Sequence, residues 1–458
     1  MDTAHRPLYH FLPPAGWMND PNGPIQWNGD YHLFYQHNPY ASVDADKHWG
    51  HAVSADLVHW EHLPVALAPG PAEYDREGIW SGCTVDNDGV PTIIYTGHPA
   101  QAQCLATGTD DLISWTKHPG NPVIAGPPPG FHVTGFRDPF VWREADAWYM
   151  VVGSGIEGVG GAAFLYRSSD LVAWTYLHPL CVGQAASSGI MWECPSFFPL
   201  GDRHALVVSP YGKVTCFIGS YAGRRFTPES QGLVDLGDPY YAPNCLLDDR
   251  GRRIMWGWIQ ERQSTEAQRA AGWAGVMSLP RILSLGEDGQ LRQAPAPELR
   301  ALRRAHHRFE DVRLSSSRPY AVPGVQGDCL EVIARFEPGE AAAVGIGLRC
   351  SPDGAEQTTI ICDRDAGTLC AERRRSSLRA DVDAAQHGGR FELAGDEPLL
   401  LHVFLDRSVI EAFANERACL TTRVYPARHD SLGLRLMARG GSPRAVSLDV
   451  WEINATEG

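Results

Sequence analysis

Three stretches of the chain spell nearly the same words: SADLVHWEHLP at Ser54–Pro64, TDDLISWTKHP at Thr109–Pro119 and SSDLVAWTYLHP at Ser168–Pro179. Their central aspartates, Asp56, Asp111 and Asp170, stand 55 and 59 residues apart. A period of that length exceeds a helical hairpin and holds about four short strands with their turns, the content of one propeller blade. GSYAGRRFTPE from Gly219 is a weaker fourth echo. Between the echoes lie apolar, β-branched runs closed by turn residues: TIIYTG at Thr92–Gly97, WYMVVGSG at Trp148–Gly155, HALVVSPYG at His204–Gly212 and RIMWGWIQ at Arg253–Gln260. Each reads as a buried strand. Dividing the first 290 or so residues by this period yields about five units, which predicts a five-bladed β-propeller.

The composition agrees with an all-β chain. Fourteen tryptophans, 47 glycines and 34 prolines among 458 residues suit short strands and turns better than long helices. Hydrophobic residues make up 43% and charged residues 20%, too apolar a balance for disorder, and the length suffices for more than one core. A formal net charge of −15 repels phosphate backbones and anionic headgroups. The short basic run ERRRSSLR at Glu372–Arg379 reads as a solvated strand face, so nucleic acid is not an expected partner. No stretch approaches the roughly 18 apolar residues of a membrane span, and no membrane association is expected.

Eleven cysteines is an odd number, scattered without a CxxC pair, which points to a reducing compartment. The opening MDTAHRPLYHFLPPAG lacks a basic segment followed by an apolar core. A cytoplasmic location is therefore expected, or secretion if a leader has been removed. The triplet Asn454-Ala455-Thr456 fits a glycosylation sequon, which matters only in a eukaryotic secretory setting. Homo-oligomerisation is compatible with the sequence.

Past residue 293 the pattern changes. The segment APAPELRALRRAHHRFED at 294–311 interrupts the strands with prolines and a short helical stretch, and reads as a linker between a domain at 1–293 and one at 312–458. In the second domain the strands alternate cleanly: Leu330, Val332, Ala334 and Phe336 share a face of LEVIARF, and LLLHVFLDRSVIEAFAN runs from Leu399 to Asn415. Six or more such strands in about 145 residues predict a β-sandwich.

Three acids stand beside aromatic or proline punctuation rather than in charged surface segments: Asp20 in WMNDPNG, Asp138 in FRDPF and Glu193 in MWECPSFF. The inner strands of successive blades aim at one funnel, so acids far apart in sequence can converge there. Trp192 and Cys194 give Glu193 an apolar surround, which raises a carboxyl pKa and suits a general acid. Arg137 is expected to keep Asp138 ionised, and the amides of Asn19 and Asn22 to donate to Asp20. That division fits glycoside hydrolysis by two carboxylates, with a third gripping sugar hydroxyls. Asp-Pro is also a common turn opener, which is the plain structural reading of Asp20 and Asp138. His48, His51, His59 and His62 lack a paired ligand motif, and GVGG at Gly158–Gly161 lacks the phosphate-loop pattern; no metal or cofactor is expected.

These segments resemble glycoside hydrolase family 32, the β-fructofuranosidases, invertases and fructan exohydrolases. WMNDPNG at Trp17–Gly23 is similar to the family's nucleophile motif and FYQHNP at Phe34–Pro39 to its glutamine motif. WGHAVS at Trp49–Ser54, WSG at Trp80–Gly82, RDP at Arg137–Pro139, WECP at Trp192–Pro195, YYAPN at Tyr240–Asn244 and GWAGVMSLPR at Gly272–Arg281 follow in order. LDRSVIEAFAN at Leu405–Asn415 looks like the signature of its β-sandwich. The resemblance implies a five-bladed propeller joined to a β-sandwich. It makes Asp20 the nucleophile, Glu193 the general acid/base and Asp138 a transition-state stabiliser, with Asn19, Gln36, Trp49, Trp80, Ser81, Arg137 and Trp273 at pocket positions.

The implied reaction retains configuration at fructose C2 through a fructosyl-enzyme, with carboxyls about 5–5.5 Å apart. The implied partner is a small-molecule or oligosaccharide substrate, sucrose or a fructan end. Two further readings share the residues: a fructosyltransferase, in which a sugar hydroxyl captures the same intermediate, and a non-catalytic fructan-binding protein, which would be expected to have lost one of the acids.

Overall fold

The computed structural model describes residues 4–145 and 147–454, so Ala455 and Thr456 of the sequon lie outside it. Its described part is built almost wholly of strands, and no described helix is long and apolar enough to cross a membrane. The described residues up to 295 form five sheets, antiparallel but for one short parallel pairing. Their first strands are Gly16–Trp27, Gly78–Asn87, Val133–Glu144, Glu193–Leu200 and Tyr240–Leu247. These five strands touch one another in turn, and the fifth touches the first, which makes a β-propeller with the first strand of each sheet around the hub.

Crowding at the hub explains the glycine of WMNDPNG. Gly23 has a φ of +42°, and a Cβ there would stand 2.2 Å from Thr84 Oγ1 of the next sheet. The ring is tied by Trp273–Ala274, which pairs in parallel with Gly16–Trp17 of the first sheet. Gly275 makes this possible: its φ is +83°, and a Cβ would lie 1.9 Å from the Met18 carbonyl oxygen.

The three-fold sequence echo is one turn used three times. Asp56, Asp111 and Asp170 each accept a backbone N–H two residues on through Oδ1, at 3.0, 3.0 and 2.9 Å. The following Leu57, Leu112 and Leu171 all have left-handed backbone, and the indole N–H of Trp60, Trp115 and Trp174 donates to their carbonyls. Each turn joins the third strand of its sheet to the fourth.

The remaining strands form two six-stranded antiparallel sheets stacked as a β-sandwich around Val332, Ile346, Ile360, Leu369, Val403 and Leu436. The segment expected as a linker, 294–311, is instead part of both units. Ala294 and Pro295 end the strand Leu291–Pro295 of the fifth sheet, 297–302 is a 3-10 helix, and Arg303–Arg313 is an edge strand of the sandwich paired with Arg444–Ile453. Its alternating charges, which read as helical, are the solvent face of that edge.

A buried ionic network fastens the two units. Asp406 accepts the backbone N–H groups of Leu8, Tyr9 and His10 and the His10 Nδ1–H at 2.7–2.9 Å. His10 Nε2 reaches Glu411 at 3.1 Å, and Arg281 bridges Glu411 at 2.6 Å and Asp235 at 2.8 Å. Asp406 and Glu411 are the acids of LDRSVIEAFAN, so that signature holds the sandwich against the propeller. Burial pulls the His10 pKa down, but its two carboxylate partners outweigh it and hold the ring at about 9.

Candidate active site

Every first strand is irregular where it reaches the hub. Pairing shifts register between Met18 and Pro21, between Trp80 and Gly82, beside Arg137–Phe140, between Glu193 and Ser196, and between Tyr241 and Asn244. Asp138, Cys194 and Ala242 have left-handed φ values of +64°, +46° and +46°. Such bulges re-aim side chains that strict alternation would send sideways. Four of the five carry proline inside the irregular stretch, at Pro21, Pro139, Pro195 and Pro243, where a missing N–H costs no ladder bond. The Asp-Pro pairs are bulges within strands, not turns.

The bulges open on a cavity of about 430 Å³, within the range of small-molecule sites. Asn19, Asp20, Gln36, Trp80, Ser81, Arg137, Asp138 and Glu193, all singled out in the sequence, line it. Trp49 and Trp273 do not. Trp49 is fully buried behind the wall and donates its indole N–H to the Trp80 carbonyl at 3.0 Å. Trp273 packs with Ile259, Val276 and the sandwich residue Val409, its ring facing Arg6 and Arg423, because its strand serves to close the ring.

Asp20 is held from both sides. Ser81 Oγ donates to its Oδ2 at 2.6 Å and Asn19 Nδ2 to its Oδ1 at 2.9 Å. Asn22 does not reach it, contrary to expectation. With its amide turned to suit its neighbours, Asn22 accepts from Gln36 Nε2 at 2.9 Å and donates to Ser81 Oγ at 3.2 Å. Gln36 and Asn22 thus support the nucleophile candidate through Ser81. On the opposite wall Glu193 accepts two Arg137 N–H groups on Oε1, at 2.8 and 3.2 Å, and the Tyr241 hydroxyl on Oε2 at 2.5 Å. The apolar surround expected for Glu193 is therefore absent: Trp192 points away into the core, against Phe217.

Asp138 is the buried acid. Burial pushes its pKa up to about 7, opposed by Arg137 and reinforced by the charges of Glu193 and Asp20. The expectation that Arg137 keeps it ionised fails because burial outweighs the guanidinium, which opposes it from 4.0 Å away while its hydrogen bonds go to Glu193. Cys194 joins the three acids. It follows Glu193 in the chain, its N–H donates to Asp138 Oδ2 at 3.0 Å, and its thiol sits 3.4 Å from Asp20 Oδ2.

Tyr241, Tyr211, Lys47 and His98 escaped the sequence reading. Tyr211 meets Arg137 Nη2 at 2.9 Å, and His98 stacks on Trp80 with ring centroids 4.1 Å apart. For Tyr241 a signal existed, since it stands two residues before Pro243 in YYAPN as Glu193 stands two before Pro195. His98, at the end of the strand Val90–His98, directly precedes Pro99, whereas Lys47 lies on a loop with no such mark. His48, His51, His59 and His62 are dispersed: His51 stacks on Phe34 and meets His32, His59 pairs with Asp56, and His62 packs on Phe11.

Convergent carboxylates over a polar cavity, flanked by aromatic rings, are the equipment of glycoside hydrolysis. Comparison with known proteins agrees. Residues 10–295 match the glycosyl hydrolases family 32 N-terminal domain, and residues 298–452 the family 32 C-terminal domain. The chain is 37% identical to a sucrose-6-phosphate hydrolase of Zymomonas mobilis, covering 98% of this chain and 92% of that protein. It is 36% identical to a raffinose invertase of Escherichia coli, covering 98% and 95%. The crystal structure of fructan 1-exohydrolase IIa from Cichorium intybus superposes with a TM-score of 0.91 at 30% identity, covering 99% and 98%. The chain belongs to glycosyl hydrolase family 32 and is a glycoside hydrolase of the β-fructofuranosidase type.

Proposed function

We propose that this chain releases fructose from the ends of β-fructofuranosides such as sucrose or fructo-oligosaccharides, through a covalent fructosyl-enzyme. In this reading Asp20 attacks fructose C2 while Glu193 protonates the departing oxygen. Glu193 then takes a proton from water, which attacks C2 and frees Asp20. Asn19 and Ser81 fix the attacking carboxylate, so its orientation costs nothing at the moment of reaction. Arg137 and Tyr241 orient Glu193, and Asp138 grips ring hydroxyls most strongly as positive charge builds at C2.

The observation that carries this reading is the position of Cys194, in contact with Asp20 and Asp138 and next in sequence to Glu193, which gathers three acids from three sheets. The relatives' printed names, which include an invertase and a fructan exohydrolase, support the substrate class.

The five sheets are read as five blades, with the division between propeller and sandwich falling near residues 295–303. The eleven cysteines, all free and buried, support a reducing compartment. The mechanism is tested by methanolysis of sucrose: the first transfer product should be methyl β-fructofuranoside, and the α anomer would refute the covalent intermediate. Fructose and glucose should appear in equal amounts from concentrated sucrose, whereas a fructose deficit would make the chain a transferase.

A further inference from the structure

The mouth of the cavity carries an unusual charge balance. Six carboxylates line the cavity, those of Asp20, Asp44, Asp46, Glu77, Asp138 and Glu193, against the two cations Lys47 and Arg137. Both cations are engaged. Arg137 is bound to Glu193 and Tyr211, and the Lys47 ammonium, with 12% of its side chain exposed, bridges Asp44 and the Asn19 side-chain oxygen. The remaining basic group of the lining, His98, is stacked on Trp80 and lies 3.8 Å from Glu77; burial, opposed by that carboxylate, lowers its pKa, so the ring sheds its charge at a lower pH than a free imidazole.

The acids are also sorted by depth. Asp138 is buried and Asp20 lies beside it at the floor, whereas Asp44, Asp46 and Glu77 are exposed at the rim. Fructose C2 must meet Asp20 at the floor, so the other half of the substrate lies at the rim, among those three carboxylates. A sugar hydroxyl can donate to them. A phosphomonoester dianion would meet like charge there, and the cations beside these acids, Lys47 on Asp44 and Arg76 at 3.4 Å from Glu77, are already paired; like-charge juxtaposition costs several powers of ten in affinity when water is partly excluded.

We infer that the rim formed by Asp44, Asp46 and Glu77 selects uncharged fructosides and rejects substrates phosphorylated on the leaving sugar. This rests on the reading of the site proposed above and adds to it a specificity that separates this chain from the printed activity of its Zymomonas mobilis relative.

The test is the initial rate of fructose release from sucrose and from sucrose 6-phosphate by the purified protein at low and high ionic strength. We expect kcat/KM for the ester to be lower by about 100-fold or more, with the gap narrowing as salt screens the rim. Combining Asp44→Asn, Asp46→Asn and Glu77→Gln should shrink the ratio by about tenfold or more. Equal or better turnover of the ester, or a ratio indifferent to salt, would overturn the inference and leave the fructosidase reading standing. Release of fructose from neither sugar would overturn both.

Discussion

Arg137 turns its guanidinium to Glu193, 56 residues away in the chain, at 2.8 Å, while its neighbour Asp138 comes no nearer than 4.0 Å. The bulge at Asp138 sends the two adjacent side chains in different directions. Arg137 is thus a positioning group for the candidate acid/base, sharing that task with Tyr241. Removing the Tyr241 hydroxyl in Tyr241→Phe should lower kcat about tenfold with little change in KM, because a donor that orients the Glu193 carboxyl is lost. Arg137→Lys should cost more, about 100-fold, since one ammonium cannot replace two N–H groups on the same oxygen. Full kcat in Tyr241→Phe would refute the assignment.

Ser81 stands between Asn22 and Asp20 and hands one hydrogen bond along. Ser81→Ala leaves Asp20 Oδ2 with only the weak Cys194 thiol donor at 3.4 Å and should reduce kcat by roughly 10- to 100-fold with little change in KM. Asn22→Ala should reproduce part of that loss although it does not touch Asp20. Steady-state kinetics of the two variants decide the matter; full activity in Ser81→Ala would show the contact to be idle.

Asp138 carries a stability signature distinct from its proposed role. Its pKa is about 7 in the folded chain against 3.8 in a free aspartate. Below pH 3.8 the folded and unfolded forms are both protonated; as pH rises through 7 the buried group must ionise and the native state loses stability. Asp138→Asn should therefore melt a few degrees above the parent at pH 8, match it near pH 4, and lose about 10³-fold in kcat. Thermal melts across that range check the first two outcomes.

His10 works in a higher window. Its pKa is about 9 in the native state against 6.5 unfolded, so its contribution is complete below pH 6.5 and disappears as pH climbs through 9. The span corresponds to something on the order of 3 kcal/mol. His10→Gln should be destabilised at pH 6 and should show a flatter decline between pH 6.5 and 9. Denaturant unfolding at fixed pH values measures this, and parallel declines in parent and variant would count against it.

Two tryptophans of similar sequence prominence should behave differently. Trp80 lines the cavity and stacks on His98, so Trp80→Ala should raise KM for sucrose by roughly 3- to 10-fold. Trp273 is buried at the seam between propeller and sandwich, so Trp273→Ala should cost about 3–5 kcal/mol of stability. Its KM, measured at a temperature where it stays folded, should move less than that of Trp80→Ala.

Much of this was readable in one dimension. The aspartate of each DLxxW turn and the acids of WMNDPNG, FRDPF and MWECPSFF carry local marks: a side chain that caps its own turn, or a proline that forbids a regular ladder. Tyr241 bore the same proline mark and was overlooked because its neighbours are apolar. Lys47 and Glu77 bear none, since what places them is the packing of one sheet's loop over the next. Arg303–Arg313 was misread for a related reason: an edge strand exposed on one face has a charge pattern much like that of a surface helix.

The sequence alone determined the repeat, hence the sheets, and the identity of the three acids, because turns and bulges are short-range matters settled by the residues that form them. Which oxygen meets which donor was decided only in three dimensions. Arg137 chooses Glu193 over Asp138, Asn22 serves Ser81 instead of Asp20, and Trp273 closes a ring instead of lining a pocket. Those partners come from different sheets, and their distances depend on how the strands around the hub crowd together, a property of the closed ring that no single stretch of the chain contains.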